Sequence, residues 1–459
     1  MEHYSYTELR AYLKYEDGLA VLGLKGKRLF RVPDAVTELS EAEKLVLDKN
    51  NLIELPASIS KLKNLIVLEL DDNEIAELPA EIGDLRELRV LWVRNNQLVG
   101  LPTSIQRLTK LEKLDLSGNK LTELPAEIND LRELRVLRVS YNQLLGLPTS
   151  IQRLTKLERL YLDVNKLTEL PAEIGDLREL RGLSVSNNQL VGLPTRIQRL
   201  TKLEWLNLNG NKLTELPAEI SDFRELRELS ISDNQLVGLP TSIQRLTKLE
   251  RLYLNGNKLT ELPAEIVDLR ELSGLSVCNN QLVGLPTSIQ RMTELQLLYL
   301  DGNKLTELPA EIVDVKELRV LRVSYNQLVG LPTSIQRMTG LQLLLLDGNT
   351  LTELPAEIGD LKELRVLSVR DNQLVALPTS IQRLTKLEEL YLHENKLTEL
   401  PAEIGDLREL RVLSVGHNPL TVDAIRRALK LRKKGVRVHG VAGEHSRYCS
   451  YLEVRKKPR

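Results

Sequence analysis

Few residues in this sequence have the types and spacing that covalent chemistry needs. His393, Glu394 and His417 lie close to one repeat apart near the end of a periodic array, so stacking of the repeats would bring two imidazoles and a carboxylate together. That is a donor set suited to zinc or to general-base work, but the offsets match no metal-ligand motif. Cys278 and Cys449 are the two cysteines, far apart and without an adjacent base, and both read as inert thiols. No glycine-rich phosphate loop and no nucleophile elbow occurs. The sequence therefore offers no catalytic residue, no metal and no cofactor, and a non-enzymatic function is expected.

The element that must position these residues is a unit of 23. It is cleanest from Thr103 to Pro148, where TSIQRLTKLEKLDLSGNKLTELP is followed by AEINDLRELRVLRVSYNQLLGLP. Asparagine recurs every 23 residues from Asn50 to Asn418, and Lys27 holds the same place one unit earlier, giving about 18 turns. A period of this size marks a solenoid. Within a turn, Leu114 and Leu116 alternate with polar residues as in a short strand, and Asn119 turns the chain inward. Pro125 is suited to open a helical turn that carries Ile128 and Leu131. A single turn cannot cover its own apolar face, so neighbours must stack. Strands about 4.8 Å apart opposite bulkier helical turns force a bend. The expected fold is an α/β repeat: a right-handed, curved solenoid (a horseshoe) with a parallel sheet on the concave face and short helical turns on the convex face.

Four segments are expected. Residues 1–18 form an N-terminal helical cap, with Ser5 and Glu8 as its capping box and Leu9, Tyr12 and Leu13 on its apolar side. Residues 19–420 are the solenoid. Residues 421–440 form a C-terminal helical cap, with Thr421 at its start, Val422, Ile425 and Leu429 inward and Gly435 at its stop, and Val436 to Val438 suit a strand. Residues 441–459 are a basic flexible tail. The net charge is −1, yet from Leu420 onward twelve Lys/Arg face three Asp/Glu. The tail is thus a possible contact for nucleic acid or an anionic membrane, ranked below a solvated end. On the convex side Asp84, Arg107, Asp130 and Arg153 begin an alternating row that runs to Asp406, and Glu87, Lys110, Glu133 and Lys156 begin another, broken at Glu294 and Gly340. These rows are expected to pair between turns. With no signal-peptide core, no membrane-length apolar segment and no disulfide cluster, the chain reads as cytoplasmic.

The turns differ from one another mainly at strand positions expected to face outward from the sheet. These supply Trp92, Arg94, Arg138, Tyr141, Arg159, Tyr161 and Asp163, then Trp205, Asn207, Arg251 and Tyr253. Further along they supply Tyr299, Asp301, Arg322, Tyr325, Arg370, Tyr391 and His393. Trp, Tyr and Arg carry much of the energy of protein interfaces, so this face is the expected protein-binding site.

The pattern Leu-x-x-Leu-x-Leu-x-x-Asn-x-Leu-x-x-Leu-Pro, from Leu111 to Pro125, resembles the intracellular leucine-rich repeat proteins of the 23-residue Leu-Pro type. That group includes scribble-like and Ras-pathway scaffolds and plant intracellular Ras-group-related proteins. The resemblance implies a signalling scaffold whose concave face binds a protein, such as a small GTPase or a phosphatase subunit. A recognition module in innate immune sensing is the alternative it leaves open.

Overall fold

The computed structural model describes residues 5–441; Cys449 and the tail from residue 442 onward lie outside the described residues. The chain divides into two compact units, Met1–Leu236 and Val237–Arg459. Each is a solenoid of stacked 23-residue turns. In the first unit, strands from Leu19–Gly23 to Glu228–Ser230 join in sequence order as a parallel sheet. In the second, Arg251–Tyr253 through Arg437–His439 do the same. The register is in phase throughout: Leu114 pairs with Leu91 on one side and Leu137 on the other.

One turn explains the rest. In the strand Lys113–Asp115 the side chain of Leu114 enters the core with Leu111 and Leu116. The chain then passes Asn119 and reaches a 3-10 turn, Ala126–Asp130, in which Ile128 N–H donates to the Pro125 carbonyl at 3.1 Å and Leu131 N–H to Ile128 at 3.2 Å. Apolar residues at 128, 131 and 134 recur every three positions, which suits the 3-10 period better than the α period. Pro125 stands one place earlier than the first helical position, as the cap (ψ 148°), and contributes its carbonyl.

Asn119 joins its own turn to the preceding one. Its Nδ2 donates to the carbonyls of Val93 and Leu116, both at 2.9 Å, and its Oδ1 accepts Leu98 N–H at 2.9 Å. A buried amide that both donates and accepts satisfies backbone groups that leucine would leave unpaired. The residue before each of these asparagines is commonly left-handed, as at Gly118 (φ 69°), Tyr141 (φ 56°) and Val164 (φ 54°).

Both ends differ in part from the sequence expectation. The Ser5–Glu8 capping box forms, with Glu8 Oε2 accepting Ser5 N–H at 2.7 Å. The helix, however, spans only Tyr6–Arg10, and Leu13–Glu16 pairs antiparallel with Leu19–Gly23. Asp17 and Gly18, both at positive φ, make the tight turn between them. An Asp-Gly pair between two such runs is a strong hairpin signal, and it overrides the helical spacing of Tyr12 and Leu13. At the other end the helix Val422–Lys433 starts at Thr421, whose Oγ1 accepts Ala424 N–H. Its buried side chains are Ala424, Ala428 and Leu431, whereas Val422 and Leu429 are exposed. The small alanines let the helix lie close to the last turn, where Arg427 donates to the Leu400 carbonyl. The strand beyond Gly435 is Arg437–His439, parallel to Val412–Ser414.

The convex charge rows pair within each unit. Arg153 reaches Asp130 at 2.9 Å and Arg199 reaches Asp176 at 2.8 Å; Lys110 and Lys202 each reach the glutamate one turn earlier at 2.6 Å. A third row, ahead of the strands, was not anticipated: Arg89–Glu112, Arg135–Glu158 and Arg365–Glu388 at 2.6–2.8 Å. Exposed pairs of this kind contribute between about 0 and 1 kcal/mol each.

Candidate functional site

The expected contact residues do lie along the strands, but the structure sorts them into exposed groups and groups bound up in the sheet itself. In the first unit Trp92, Arg94, Arg138, Tyr141 and Arg159 are exposed, while Tyr161, Asp163, Trp205 and Asn207 are half-buried. Tyr161 lies between two partners. The Arg138 guanidinium stacks on its ring at 4.9 Å, and the Trp205 ring lies 5.5 Å away, tilted by 36°. Trp205 reaches Tyr161 by crossing Gly182, its register partner; a Cβ there would stand 2.0 Å from the indole. The missing side chain at residue 182 is thus what permits an Arg–Tyr–Trp stack over four strands. Contacts of this type contribute about 0.5–1.5 kcal/mol each and hold the rings in place.

The serines that share this row are not outward-facing contacts. Ser184, Ser230, Ser276, Ser368 and Ser414 are buried. Tyr161, Tyr253, Tyr299 and Tyr391 stand beside serines in register, and the large side chain covers its small neighbour. Large and small residues therefore form one packed layer over the strands.

Two expected contact carboxylates belong to the frame. Asp163 Oδ1 accepts Ser186 N–H at 2.9 Å, and hydroxyls of Ser140, Ser184 and Ser186 donate to the same carboxylate. Asp301 is buried, accepts Ser324 N–H at 2.8 Å and pairs with Arg322 at 2.5 Å. The same position recurs every 23 residues: Asp71 accepts Arg94 N–H at 2.7 Å, and Asn255 accepts Cys278 N–H at 2.8 Å. This is a second side-chain ladder, parallel to the asparagine one, and its signal in the sequence was the recurrence of Asp, Asn and Ser two places before the asparagine. Burial pushes the carboxyls of Asp301 and Asp347 above the usual carboxylate range and carries Asp71 up to about 6.

In the second unit Arg251 is exposed and Tyr253 half-buried. Two further arginines of this face are bound to carboxylates. Arg322 pairs with Asp301 and lies 5.3 Å from the Tyr299 ring centre; Arg370 pairs with Asp347 at 2.8 Å and donates to the Tyr325 hydroxyl at 3.5 Å. Tyr391 donates to Glu389 at 2.8 Å, and burial with that carboxylate pushes its phenol up. His393 Nδ1 lies 3.0 Å from Ser414 Oγ; burial and the Arg370 charge hold its pKa below the usual histidine value. Among the described residues no group of three His, Cys, Asp or Glu side chains is placed to hold a metal ion. Cys278 is a half-buried free thiol, pushed up by burial and by the Asp301 charge. A hollow of about 530 Å³, lined by Glu250, Arg270, Glu271, Ser273, Thr293 and Glu294, lies ahead of the strands.

Models of leucine-rich repeat regions match residues 113–190, 195–281, 218–301 and 341–446, more than half of the chain, and further leucine-rich repeat models match 40–98, 293–351 and 86–130. The chain belongs to the leucine-rich repeat family. No curated protein matches the sequence. A leucine-rich repeat protein of Leptospira interrogans is 34% identical in solved structure, with 91% of this chain and 94% of that one covered at a TM-score of 0.70. The plant peptide hormone receptor RGFR1 in complex with RGF2 is 28% identical over 89% and 83% of the two chains, at 0.67. YopM from Yersinia enterocolitica is 28% identical over 90% and 85%, at 0.64. The fold is that of a leucine-rich repeat solenoid, an architecture that serves as a protein-interaction module.

Proposed function

We propose that the strand face binds a protein partner and that the chain acts as a non-enzymatic scaffold in intracellular signalling. The observation that carries this reading is the Arg138–Tyr161–Trp205 stack. It holds two half-buried aromatic rings in place at the surface of strands already fixed by two side-chain ladders, so little ordering entropy is lost on binding. The plant receptor that this chain resembles was solved with a bound peptide hormone, which agrees with recognition of a polypeptide. The free thiol of Cys278 fits a reducing cytoplasm, and among the described residues no helix is long and apolar enough to cross a membrane. A small GTPase or a phosphatase subunit is the partner suggested by the Leu-Pro repeat type.

The test compares partners captured by the intact chain with those captured by a folded variant carrying Trp92→Ala, Tyr161→Ala, Trp205→Ala and Tyr253→Ala. A partner lost only from the variant is the expected result. Equal capture by both would remove the strand face as the functional surface.

A further inference from the structure

The arginines of the strand face are not equivalent. In the second unit Arg322 and Arg370 are each held by a carboxylate at hydrogen-bond distance, Asp301 and Asp347. In the first unit Arg94 and Arg159 are exposed and have no carboxylate partner among the described residues, and Arg138 approaches Asp115 only to 3.9 Å. The acidic groups around them sit lower. Asp115 is 13% exposed against 49% for Arg138, and its Oδ1 accepts Ser117 N–H at 2.9 Å. Asp163 is saturated by the Ser140, Ser184 and Ser186 donors. Asp71 is turned onto Arg94 N–H, not onto its guanidinium. A molecule that approaches this patch therefore meets three raised guanidiniums flanking aromatic rings, with the carboxylates recessed below.

We propose that this part of the first unit, from Trp92 to Trp205, docks an acidic polypeptide segment, its carboxylates on Arg94, Arg138 and Arg159 and an apolar side chain against Tyr161 and Trp205. This inference rests on the reading of the strand face as a protein-binding surface and adds the chemistry of the partner. Guanidiniums recognise carboxylates in a bidentate manner, and complementary charge sets orientation and association rate. Nucleic acid fits less well. It requires cations along a continuous backbone track, whereas here Asp72, Asp115 and Asp163 are interspersed with Arg94, Lys113, Arg138 and Arg159 on the same face.

The experiment selects displayed 12-residue peptides on the full chain at low salt, then measures the best peptide by fluorescence anisotropy. Selected peptides should be enriched in Asp and Glu. Their affinity should fall at least tenfold in an Arg94→Glu, Arg159→Glu variant, survive in an Arg94→Lys, Arg159→Lys variant and weaken as salt rises. Both arginines are exposed, so circular dichroism should show the fold of each variant unchanged. A pool without acidic enrichment, or no enriched pool at all, overturns the proposal. So does an acidic peptide that binds the charge-reversed variant undiminished, or one displaced by a single-stranded oligonucleotide more readily than by free peptide. Non-acidic peptides that still lose binding on Tyr161→Ala and Trp205→Ala would reject the acidic partner alone. Peptides indifferent to every one of these substitutions would reject the strand-face reading itself.

Discussion

Replacing Asn211 by leucine isolates the role of the buried asparagine ladder. Asn211 Nδ2 donates to the carbonyls of Val185 (2.9 Å) and Leu208 (3.0 Å), and Oδ1 accepts Leu190 N–H at 2.9 Å. Leucine has nearly the same size and none of these groups. The buried Leu190 N–H then loses its side-chain acceptor, while the Val185 and Leu208 carbonyls keep the amides of Asn188 and Asn234 as donors. At about 1–3 kcal/mol for the one buried N–H left unpaired, the loss is about 1–3 kcal/mol. Asn207, in the same turn, supplies the control. It is half-buried on the strand face and, among the described residues, accepts just Asn209 N–H, at 3.1 Å, so Asn207→Leu should cost less than about 1 kcal/mol. Urea unfolding followed by circular dichroism and by tryptophan emission, with Trp205 in the affected turn, reads both. The Asn211 variant should unfold roughly 1 M earlier than the control. Coincident midpoints would refute the claim that the ladder, and not asparagine in general, holds adjacent turns together.

Val164 is a β-branched residue at φ 54°, where Asn95, Asn187 and Asn279 occupy the equivalent place. Val164→Asn should stabilise by about 1 kcal/mol, seen as a higher thermal midpoint, since the left-handed region costs an ordinary residue about 1–2 kcal/mol. Asp71 has its folded pKa raised to about 6 from an ordinary 3.8, so the folded state binds the proton more tightly and stability falls as pH rises from about 4 through 6. Asp71→Asn keeps an acceptor for Arg94 N–H and should remove that fall, measured as the unfolding midpoint at pH 4 against pH 7. In a Cys449→Ser background, Cys278 should alkylate more slowly than an unfolded thiol at pH 8 and gain speed in urea, because burial raises its pKa. Finally, Gly182→Val should displace Trp205 and red-shift its emission while the far-ultraviolet dichroism stays unchanged; an unaltered spectrum would deny that the indole crosses residue 182.

The frame was legible because it is local and repeated. Asparagine at a fixed interval, alternating leucines and the Leu-Pro close each state one geometric requirement many times over, so an error in one turn is corrected by the next. The ends lack that redundancy. Tyr12 and Leu13 have helical spacing, and only the Asp17-Gly18 turn reveals that they enter a hairpin. In the C-terminal helix the larger apolar residues suggested the buried face, yet close approach to the last turn selected Ala424 and Ala428.

The strand face is harder to read because its chemistry is decided between turns. Counting aromatic and charged residues at outward positions finds Trp92, Tyr161 and Asp301 alike, but only contact across strands separates them. Trp92 is exposed, Tyr161 is fixed between Arg138 and Trp205, and Asp301 is buried under Arg322 and closes the ladder to Ser324. Residue 182 shows why type alone misleads: a glycine with no functional group determines where Trp205 lies, and hence what a partner meets. The same logic separates the arginines. Arg322 and Arg370 have carboxylates placed at the ladder position of the preceding turn, Asp301 and Asp347, whereas Ser140 stands one turn before Arg159's own Asp163 and draws that carboxylate inward. Serine in place of aspartate at the ladder position of the preceding turn thus leaves the Arg159 guanidinium without a carboxylate among the described residues, and the surface charge of this face follows from hydrogen bonds made beneath it.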